Sequence, residues 1–320
     1  MLELAVLGSG SSGNSALVRL GETTVLIDAG LSARQLCVRM QSLGVEPDDL
    51  TAIVLTHEHG DHTCGIDVFC RKREIPIYAT THTCAIVREQ VKSKVKWHHF
   101  EAGADFRIND IHIESFSVPH DAVDPVGFVF RCDHSRLGVL SDVGHVTRLI
   151  VDRLQGVDTL FTEANYDEVM LQNDTHRPWS TKQRISNRHG HLSNDQTADL
   201  VSQIASERLT RVVLGHLSSD CNTSDLATSV ISRKLEELGH HGIDVVCAQR
   251  KDPLPLRPVA KKPPEAPAAK SDTPEQPTSY VEEKAAKSAR VCEPSAAETR
   301  PAAKPRSNDS DEWSQMEWAF

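Results

Sequence analysis

The sequence predicts an α/β domain made of two mixed sheets with helices on their outer faces, followed by a polar tail. Short apolar runs rich in Val, Ile and Leu recur through the first 250 of the 320 residues and alternate with helical stretches. The last 70 residues instead contain 11 of the 16 prolines. Such a composition buries too little apolar surface to offset the entropy of chain ordering. We therefore expect a domain over 1–250, a disordered linker over 251–311 and a partner-binding segment over 312–320.

Each expected strand is a run of β-branched and aliphatic residues that ends at a turn former. Each expected helix has apolar residues three or four positions apart, and Asn194, Asp195 and Asp225 provide polar starts for the last two. The expected strands lie near 3–8, 16–20, 23–28, 51–56, 76–79, 111–118, 126–132, 136–141, 158–163, 211–215 and 243–247. The expected helices cover 32–43, 63–74, 82–92, 146–154, 195–207 and 223–238.

The first eight residues have a strand pattern, without the basic start and long apolar core of a secretion signal. Elsewhere no apolar stretch approaches the ~20 residues that a membrane helix needs. The eight cysteines form no CxxC pair, which suits a reducing compartment. We therefore expect a cytoplasmic protein with no membrane partner.

A metal site is indicated by the stretch THEHGDH at 56–62, which follows an apolar run. Neutral imidazole and carboxylate are ligands of borderline and hard divalent cations, and this spacing can serve two ions on either side of one turn. Three later residues, each at the end of an apolar stretch, offer further ligands. The candidates are His57, His59, Asp61 and His62 in the stretch, and His120, Asp142 and His216 after it.

This order of residues resembles the metallo-β-lactamase superfamily. The resemblance implies a four-layer αββα sandwich that binds two metals at one edge. Asp28, at the end of an apolar strand, is expected to orient a ligand histidine and not to bind metal itself. The implied ligands are His57, His59 and His120 for the first ion, Asp61, His62 and His216 for the second, and Asp142 as the bridge.

Several segments together resemble the YycJ (WalJ, VicX) branch of that superfamily, and the match spans roughly 1–250. This branch implies a metal-dependent nuclease with 5′-to-3′ exonuclease action on double-stranded DNA. The segments are GSGSSGNS at 8–15, LIDAGLS at 26–32, THEHGDH at 56–62, PHDAVDPVGFVF at 119–130, SDVGHVT at 141–147 and RPWSTKQRISNRHGHLSN at 177–194.

Every proposed ligand carries nitrogen or oxygen, so the expected cofactors are two divalent ions, Mn or Zn, with Fe as a further option. Two such ions would generate a hydroxide for in-line attack on a phosphodiester, with Asp61 as both ligand and catalytic residue. Glu163 and His191 resemble the pair that assists the leaving group in related tRNA-processing nucleases. His191 also has a structural interpretation, as a capping partner of the helix expected at 195–207.

The basic block around His191 predicts a DNA-binding arm, in which cations bind phosphates and an aromatic side chain stacks on a base. A solvated basic loop held by a core tryptophan is the alternative. The overall charge of −10 argues against strong long-range attraction to DNA. The expected substrate-binding residues are Trp179, Lys182, Arg184 and Arg188, with Ser11 and Asn14 from the Gly/Ser turn.

Other functions stay open at this point. An RNA-processing nuclease or a hydrolase of small (thio)esters or cyclic phosphodiesters could use the same ligands, although the basic block favours a polymer. Outside the enzymes, a regulatory partner of a two-component system would keep the metals only as structure. The chain end resembles the hexapeptide by which bacterial DNA enzymes bind the sliding clamp. Its residues are Gln315, Met316, Trp318 and Phe320.

Overall fold

The computed structural model describes residues 1–260. Fourteen strands are present in that part of the chain, and they form two sheets of seven. The strands are β1 (Glu3–Gly8), β2 (Ser15–Leu20), β3 (Thr23–Ile27), β4 (Ala52–Val54), β5 (Ile77–Thr80), β6 (Trp97–Phe100), β7 (Asp105–Ile108), β8 (Ile111–Ser117), β9 (Val126–Cys132), β10 (Ser135–Leu140), β11 (Thr159–Glu163), β12 (Arg211–Gly215), β13 (Asp244–Cys247) and β14 (Leu254–Pro258).

The helices start at polar caps that the sequence provides. Thr223 caps the last helix, and Ser193 forms a capping box with Gln196 at the helix before it. The helices are α1 (Ala33–Ser42), α2 (Gly60–Thr63), α3 (Ile66–Cys70), α4 (Thr81–Gln90), α5 (Arg148–Leu154), α6 (Glu168–Asn173), α7 (Trp179–Ser186), α8 (Asn194–Ile204) and α9 (Ser224–Glu237). Within residues 1–260, none of these helices is long and apolar enough to cross a lipid bilayer.

The two sheets have matching topologies. The first has the order β14-β1-β2-β3-β4-β5-β6 and the second β13-β12-β11-β10-β9-β8-β7. In the first sheet β3 to β6 run parallel, and in the second β10 to β13 do. Because the carboxyl ends of parallel strands lie at one edge of a sheet, the loops that follow β3, β4, β10, β11 and β12 converge there.

Buried apolar side chains form three large hydrophobic cores. Val6, Val18 and Phe128 belong to a core between the two sheets. A second core joins the first sheet to α1, α3 and α4, and a third joins the other sheet to α5, α8 and α9. Central strands are thus buried on both faces, which explains their continuous apolar sequences. The predicted four-layer αββα sandwich is confirmed.

Several local expectations differ from the structure. The helix expected over 63–74 breaks at Gly65, where a Cβ would lie 2.1 Å from the carbonyl oxygen of Leu31. The basic block contains the helix α7, which was not among the expected helices, and β6, β7 and α6 were not expected either. β14 lies within the segment assigned to the linker, where its prolines are tolerated because it is an edge strand. The rest of the expected linker and the C-terminal hexapeptide lie outside the described residues.

Candidate metal centre

The first group of expected ligands comes together between the loop after β4 and the loop after β8. Nδ1 of His59 lies 3.1 Å from Nε2 of His57 and 3.3 Å from Nε2 of His120. One potential ligand atom from each of the three side chains lies within 4.8 Å of the others. Nδ1 of His120 donates to the carbonyl oxygen of Gly190 at 3.0 Å, so its Nε2 faces the group.

The second group lies beside the first. Oδ2 of Asp61 is 3.6 Å from Nε2 of His62 and 3.4 Å from Nε2 of His216. Asp142 stands between the groups, since its Oδ2 is 3.1 Å from Nε2 of His62 and its Oδ1 is 4.0 Å from Nε2 of His120. The structure therefore brings all seven expected ligands to one end of the sandwich.

The backbone is constrained at three strand ends in this centre. Asp28, Asp142 and His216 have φ angles of 55°, 57° and 50°, a left-handed backbone conformation that residues other than glycine rarely adopt. They follow β3, β10 and β12 respectively. Such conformations cost on the order of 1–3 kcal/mol each and occur where the surrounding structure needs a particular side-chain direction. Here they turn three polar side chains towards the same space.

Asp28 has the orienting position that the sequence predicts. Its Oδ1 accepts from the backbone N–H of Thr56, and its Oδ2 accepts from the hydroxyl of Thr56, each at 2.8 Å. Nδ1 of His62 also lies 2.8 Å from Oδ2. The hydroxyl of Thr56 in turn lies 3.0 Å from Nδ1 of His57. One buried carboxylate thus fixes a histidine of each group, directly or through Thr56.

The four buried histidines of the site fall into two protonation classes. Burial lowers the pKa of His57 and of His120, so both rings are neutral at pH 7. Burial also disfavours charge on His62 and His216, but the nearby carboxylates outweigh it. Asp142 and Asp28 raise the pKa of His62 well above its usual value, and Asp142 is the main cause that raises the pKa of His216 to about 10. Without metal, these two rings carry the protons that a divalent cation would displace.

Glu163 and His191 form a pair at the rim of the centre. Oε2 of Glu163 lies 2.9 Å from Nδ1 of His191, and Glu163 also accepts from the N–H of Val143. Burial raises the pKa of this carboxyl, but His191 outweighs it and holds the pKa below its usual value. Ser193 caps α8, so the capping interpretation of His191 is wrong.

The two residues expected in the Gly/Ser turn have different positions. Ser11 is exposed, whereas Asn14 is buried. The amide nitrogen of Asn14 lies 3.2 Å from Oδ2 of Asp61 and 3.0 Å from Nε2 of His62, and its oxygen accepts from the N–H of Gly10. Asn14 thus touches the expected ligands themselves.

The basic block lies against the loops that carry His120 and Asp142. Arg184 donates to Asp121 at 2.7 Å, and Arg188 donates to His145 at 3.2 Å. Lys182 donates to the carbonyl oxygen of Gln172. Trp179 is 67% exposed, so the interpretation of a core tryptophan is wrong.

Sequence reasoning missed two neighbours of the ligands. Oδ1 of Asp121 lies 3.3 Å from Nε2 of His120, the atom that faces the first group. The backbone N–H of Asp121 donates to the carbonyl oxygen of His189. Thr56, which precedes the first ligand, couples Asp28 to His57. Both residues are sequence neighbours of expected ligands, His120 and His57, and this was the only signal for them. A neighbouring position in the sequence does not indicate where a side chain points.

The donor set fits divalent metal ions. All the clustered atoms are imidazole nitrogens or carboxylate oxygens. They form four overlapping groups, and within each group the potential ligand atoms lie within 4.8 Å of one another. A buried cluster with this many acceptors favours a cation on electrostatic grounds. The donors suit Zn, Mn and Fe alike.

Comparison with known proteins agrees with the geometry. A family model described as Beta-lactamase superfamily domain matches residues 23–217. The chain is 35% identical over 238 residues to Exodeoxyribonuclease WalJ of Streptococcus pneumoniae serotype 2, covering 73% of this chain and 88% of that protein. It is 33% identical over 241 residues to Exodeoxyribonuclease YycJ of Bacillus anthracis, covering 74% and 90%.

Solved structures agree on the fold. The metallo-beta-lactamase fold protein YhfI of Bacillus subtilis matches with a TM-score of 0.61 and 15% identity, over 79% of this chain and 98% of that one. At this identity the similarity bears on the fold alone.

Proposed function

The chain belongs to the beta-lactamase superfamily, and on that premise we propose that it is a metal-dependent exodeoxyribonuclease that degrades duplex DNA from the 5′ end. Two relatives more than 30% identical over most of their length are named exodeoxyribonucleases. The observation that carries the proposal is the shared position of Asp142 between two ligand groups, beside the Glu163–His191 pair.

His57, His59 and His120 would hold one metal ion, Asp61, His62 and His216 the other, and Asp142 would contact both. When bound, such a pair lowers the pKa of a coordinated water and stabilises the charge that develops on the phosphoryl group. Mn or Zn is the proposed cofactor, with Fe as a further option.

His191 supplies the proton that the leaving 3′-oxygen needs. Its Nδ1 is occupied by Glu163, which leaves Nε2 for the substrate. Within residues 1–260, Nε2 of His191 has no hydrogen-bond partner in the protein. The buried Glu163 fixes the ring orientation, so the free Nε2 of His191 can serve as the general acid.

The basic block forms the substrate arm in this proposal. Arg184 and Arg188 lie beside the centre, Lys182 is nearby on α7, and exposed Trp179 offers a face for base stacking. Ser11 adds an exposed hydroxyl from the Gly/Ser turn. Asn14 acts by positioning Asp61 and His62, and so serves the substrate indirectly.

The decisive experiment incubates the metal-analysed protein with Mn²⁺ and end-labelled linear duplex DNA. Single-stranded DNA, RNA and bis(4-nitrophenyl) phosphate serve as competing substrate classes, and Asp61→Ala is the blank. We expect progressive shortening of the duplex from its 5′ ends, absent in the variant. Turnover of the small diester alone would replace this proposal with a small-molecule hydrolase.

We also propose a cytoplasmic location and a partner for the chain end. The sequence of Gln315, Met316, Trp318 and Phe320 supports binding to the bacterial sliding clamp, which would concentrate the enzyme at replicating DNA. Capture of purified clamp by the full chain, compared with a chain that lacks the last twelve residues, tests this. Equal capture by both chains would contradict it.

A further inference from the structure

A cavity of about 390 Å³ adjoins the candidate metal centre on the side of His216. Its walls come from the Gly/Ser turn, the loop after β12 and the loop between β13 and β14. Neither the ligand groups nor the basic block contributes to it. The lining residues that matter here are Ser9, Ser218, Ser219, Gln249, Arg250 and Lys251.

A single residue, Ser9, lines the cavity and also contacts a residue of the metal centre. The hydroxyl of Ser9 accepts from the backbone N–H of His216 at 2.7 Å and lies 3.2 Å from the side-chain oxygen of Asn14. Leu217 and Ser218, directly after His216, form the next part of the wall. A group held in this cavity is therefore close enough to belong to the same bound substrate strand.

Arg250, which lines the cavity, is held in place by hydrogen bonds. Its Nη2 donates to the carbonyl oxygen of Leu217 at 2.9 Å, and its own carbonyl accepts from Arg39 at 2.8 Å. Gly10 lies against the side chain, since a Cβ at that position would be 3.1 Å from Nε of Arg250. The φ of +140° at Gly10 also favours glycine there. The turn and the guanidinium thus fit each other.

The charges around the cavity favour an anion. Arg250 and Lys251 contribute two cations, and Asp252 contributes one anion. The buried guanidinium of Arg39 interacts with the charge of Asp252. The other lining residues are uncharged, and four of them carry serine hydroxyls. Guanidinium, ammonium and hydroxyl groups are the usual donors to phosphate oxygens.

We propose that this cavity is a second phosphate subsite, which holds a phosphate of the DNA strand next to the one that is cleaved. The inference rests on the proposed nuclease function and adds the residues that position the strand. Arg250 and Lys251 bind the phosphate, and the Gly/Ser turn sets the distance between it and the metal centre. The phosphate is either a 5′-terminal monoester or an internal diester, since both present the same oxygens.

The test compares Arg250→Gln and Lys251→Ala with the unaltered protein in the full chain. Lys234→Ala, which removes an exposed cation at the far end of α9, is the matched control. Fluorescence anisotropy measures binding of a phosphorothioate duplex, which resists cleavage, over a range of salt concentrations. Loss of one phosphate contact lowers the slope of log K against log salt by about 0.9. We expect that change in both variants and none in the control.

A second measurement separates this subsite from a general loss of activity. The ratio of kcat/KM for duplex DNA to kcat/KM for bis(4-nitrophenyl) phosphate should fall by about tenfold, the loss expected from one charge-assisted hydrogen bond. Duplexes with a 5′-phosphate and a 5′-hydroxyl distinguish the sources. An effect confined to the phosphorylated duplex indicates a terminal monoester, and an equal effect on both indicates an internal diester.

Unchanged salt slope and unchanged kcat/KM ratio in both variants would overturn the subsite while leaving the nuclease proposal intact. Failure of the unaltered protein to bind or cleave DNA would overturn both. If Arg250→Gln lowers the melting temperature through loss of its bond to Leu217, the exposed Lys251 decides the outcome, because the structure gives its side chain no hydrogen bond or ion pair within residues 1–260.

Discussion

Replacing Asp28 with asparagine should change the direction of the hydrogen bonds that fix the tautomers of two expected ligands, His57 and His62. As a carboxylate, Asp28 only accepts hydrogen bonds, so Nδ1 of His62 must carry a proton, which leaves Nε2 as the nitrogen that binds metal once its own proton is displaced. The hydroxyl of Thr56 donates to Asp28 and so accepts from Nδ1 of His57, which leaves Nε2 of His57 free as well. An amide nitrogen at this position donates instead, which favours the opposite tautomer of His62.

The size of the effect follows from the bonds involved. Asp28→Asn keeps the volume of a side chain that is 3% exposed, so the fold should survive. The change removes one charge-assisted hydrogen bond to His62 and disturbs the bond between Thr56 and His57. Loss of such supporting bonds weakens metal binding by about 10–100-fold, which corresponds to about 1.4–2.8 kcal/mol.

Competition between the protein and a chelator of known affinity measures this directly, with metal content determined after dialysis. The control is Asp199→Asn, an exposed carboxylate that contacts Lys234 far from the centre. We expect the control to retain both ions and Asp28→Asn to bind at least one ion more weakly. Equal metal affinity in Asp28→Asn and the unaltered protein would refute the role of Asp28 in fixing the tautomers.

Three further outcomes can be measured. His191→Ala should lower kcat by about 10²–10⁴-fold, the usual contribution of a general acid, while metal content stays constant; loss of metal would instead make His191 a ligand. Metal binding at pH 7.5 should release about two protons, because the raised pKa values of His62 and His216 keep both rings protonated until metal displaces them, and affinity should rise with pH. Calorimetry in buffers of different ionisation enthalpy counts those protons, and a count of zero would contradict the assignment. Phe128→Ala should lower the free energy of unfolding by about 3–5 kcal/mol in denaturant titrations, since its fully buried ring fills the core between the sheets. A loss below 1 kcal/mol would show that neighbouring side chains collapse into the space that the ring leaves.

The sequence indicates which residues come together in the candidate centre, because the expected ligands follow strands. His120, Asp142 and His216 each end an apolar run, and parallel strands bring such ends to one edge of a sheet. The position of Asn14 beside the expected ligands depends on the packing of a Gly/Ser turn, which local pattern does not reveal.

The secondary structure that escaped prediction has weak local signals for a physical reason. β14 contains two prolines. They are tolerated because β14 is the edge strand of its sheet, so one of its sides pairs with no strand in the described part of the chain. α7 has no buried side chain, so its sequence has no apolar stripe to indicate a helix. Both elements are stabilised by contacts with distant parts of the chain, which a window of neighbouring residues does not contain.

The hydrogen bond from His120 to the carbonyl of Gly190 joins the first ligand group to the segment that carries the basic arm. If the proposed function holds, a DNA strand that moved this arm would also change the orientation of a metal ligand. Thermodynamic linkage would make the relation reciprocal, so DNA would alter metal affinity by the same factor as metal alters DNA affinity. The supply of metal in a cell would then regulate how long the enzyme stays on a DNA end, as well as how fast it cuts.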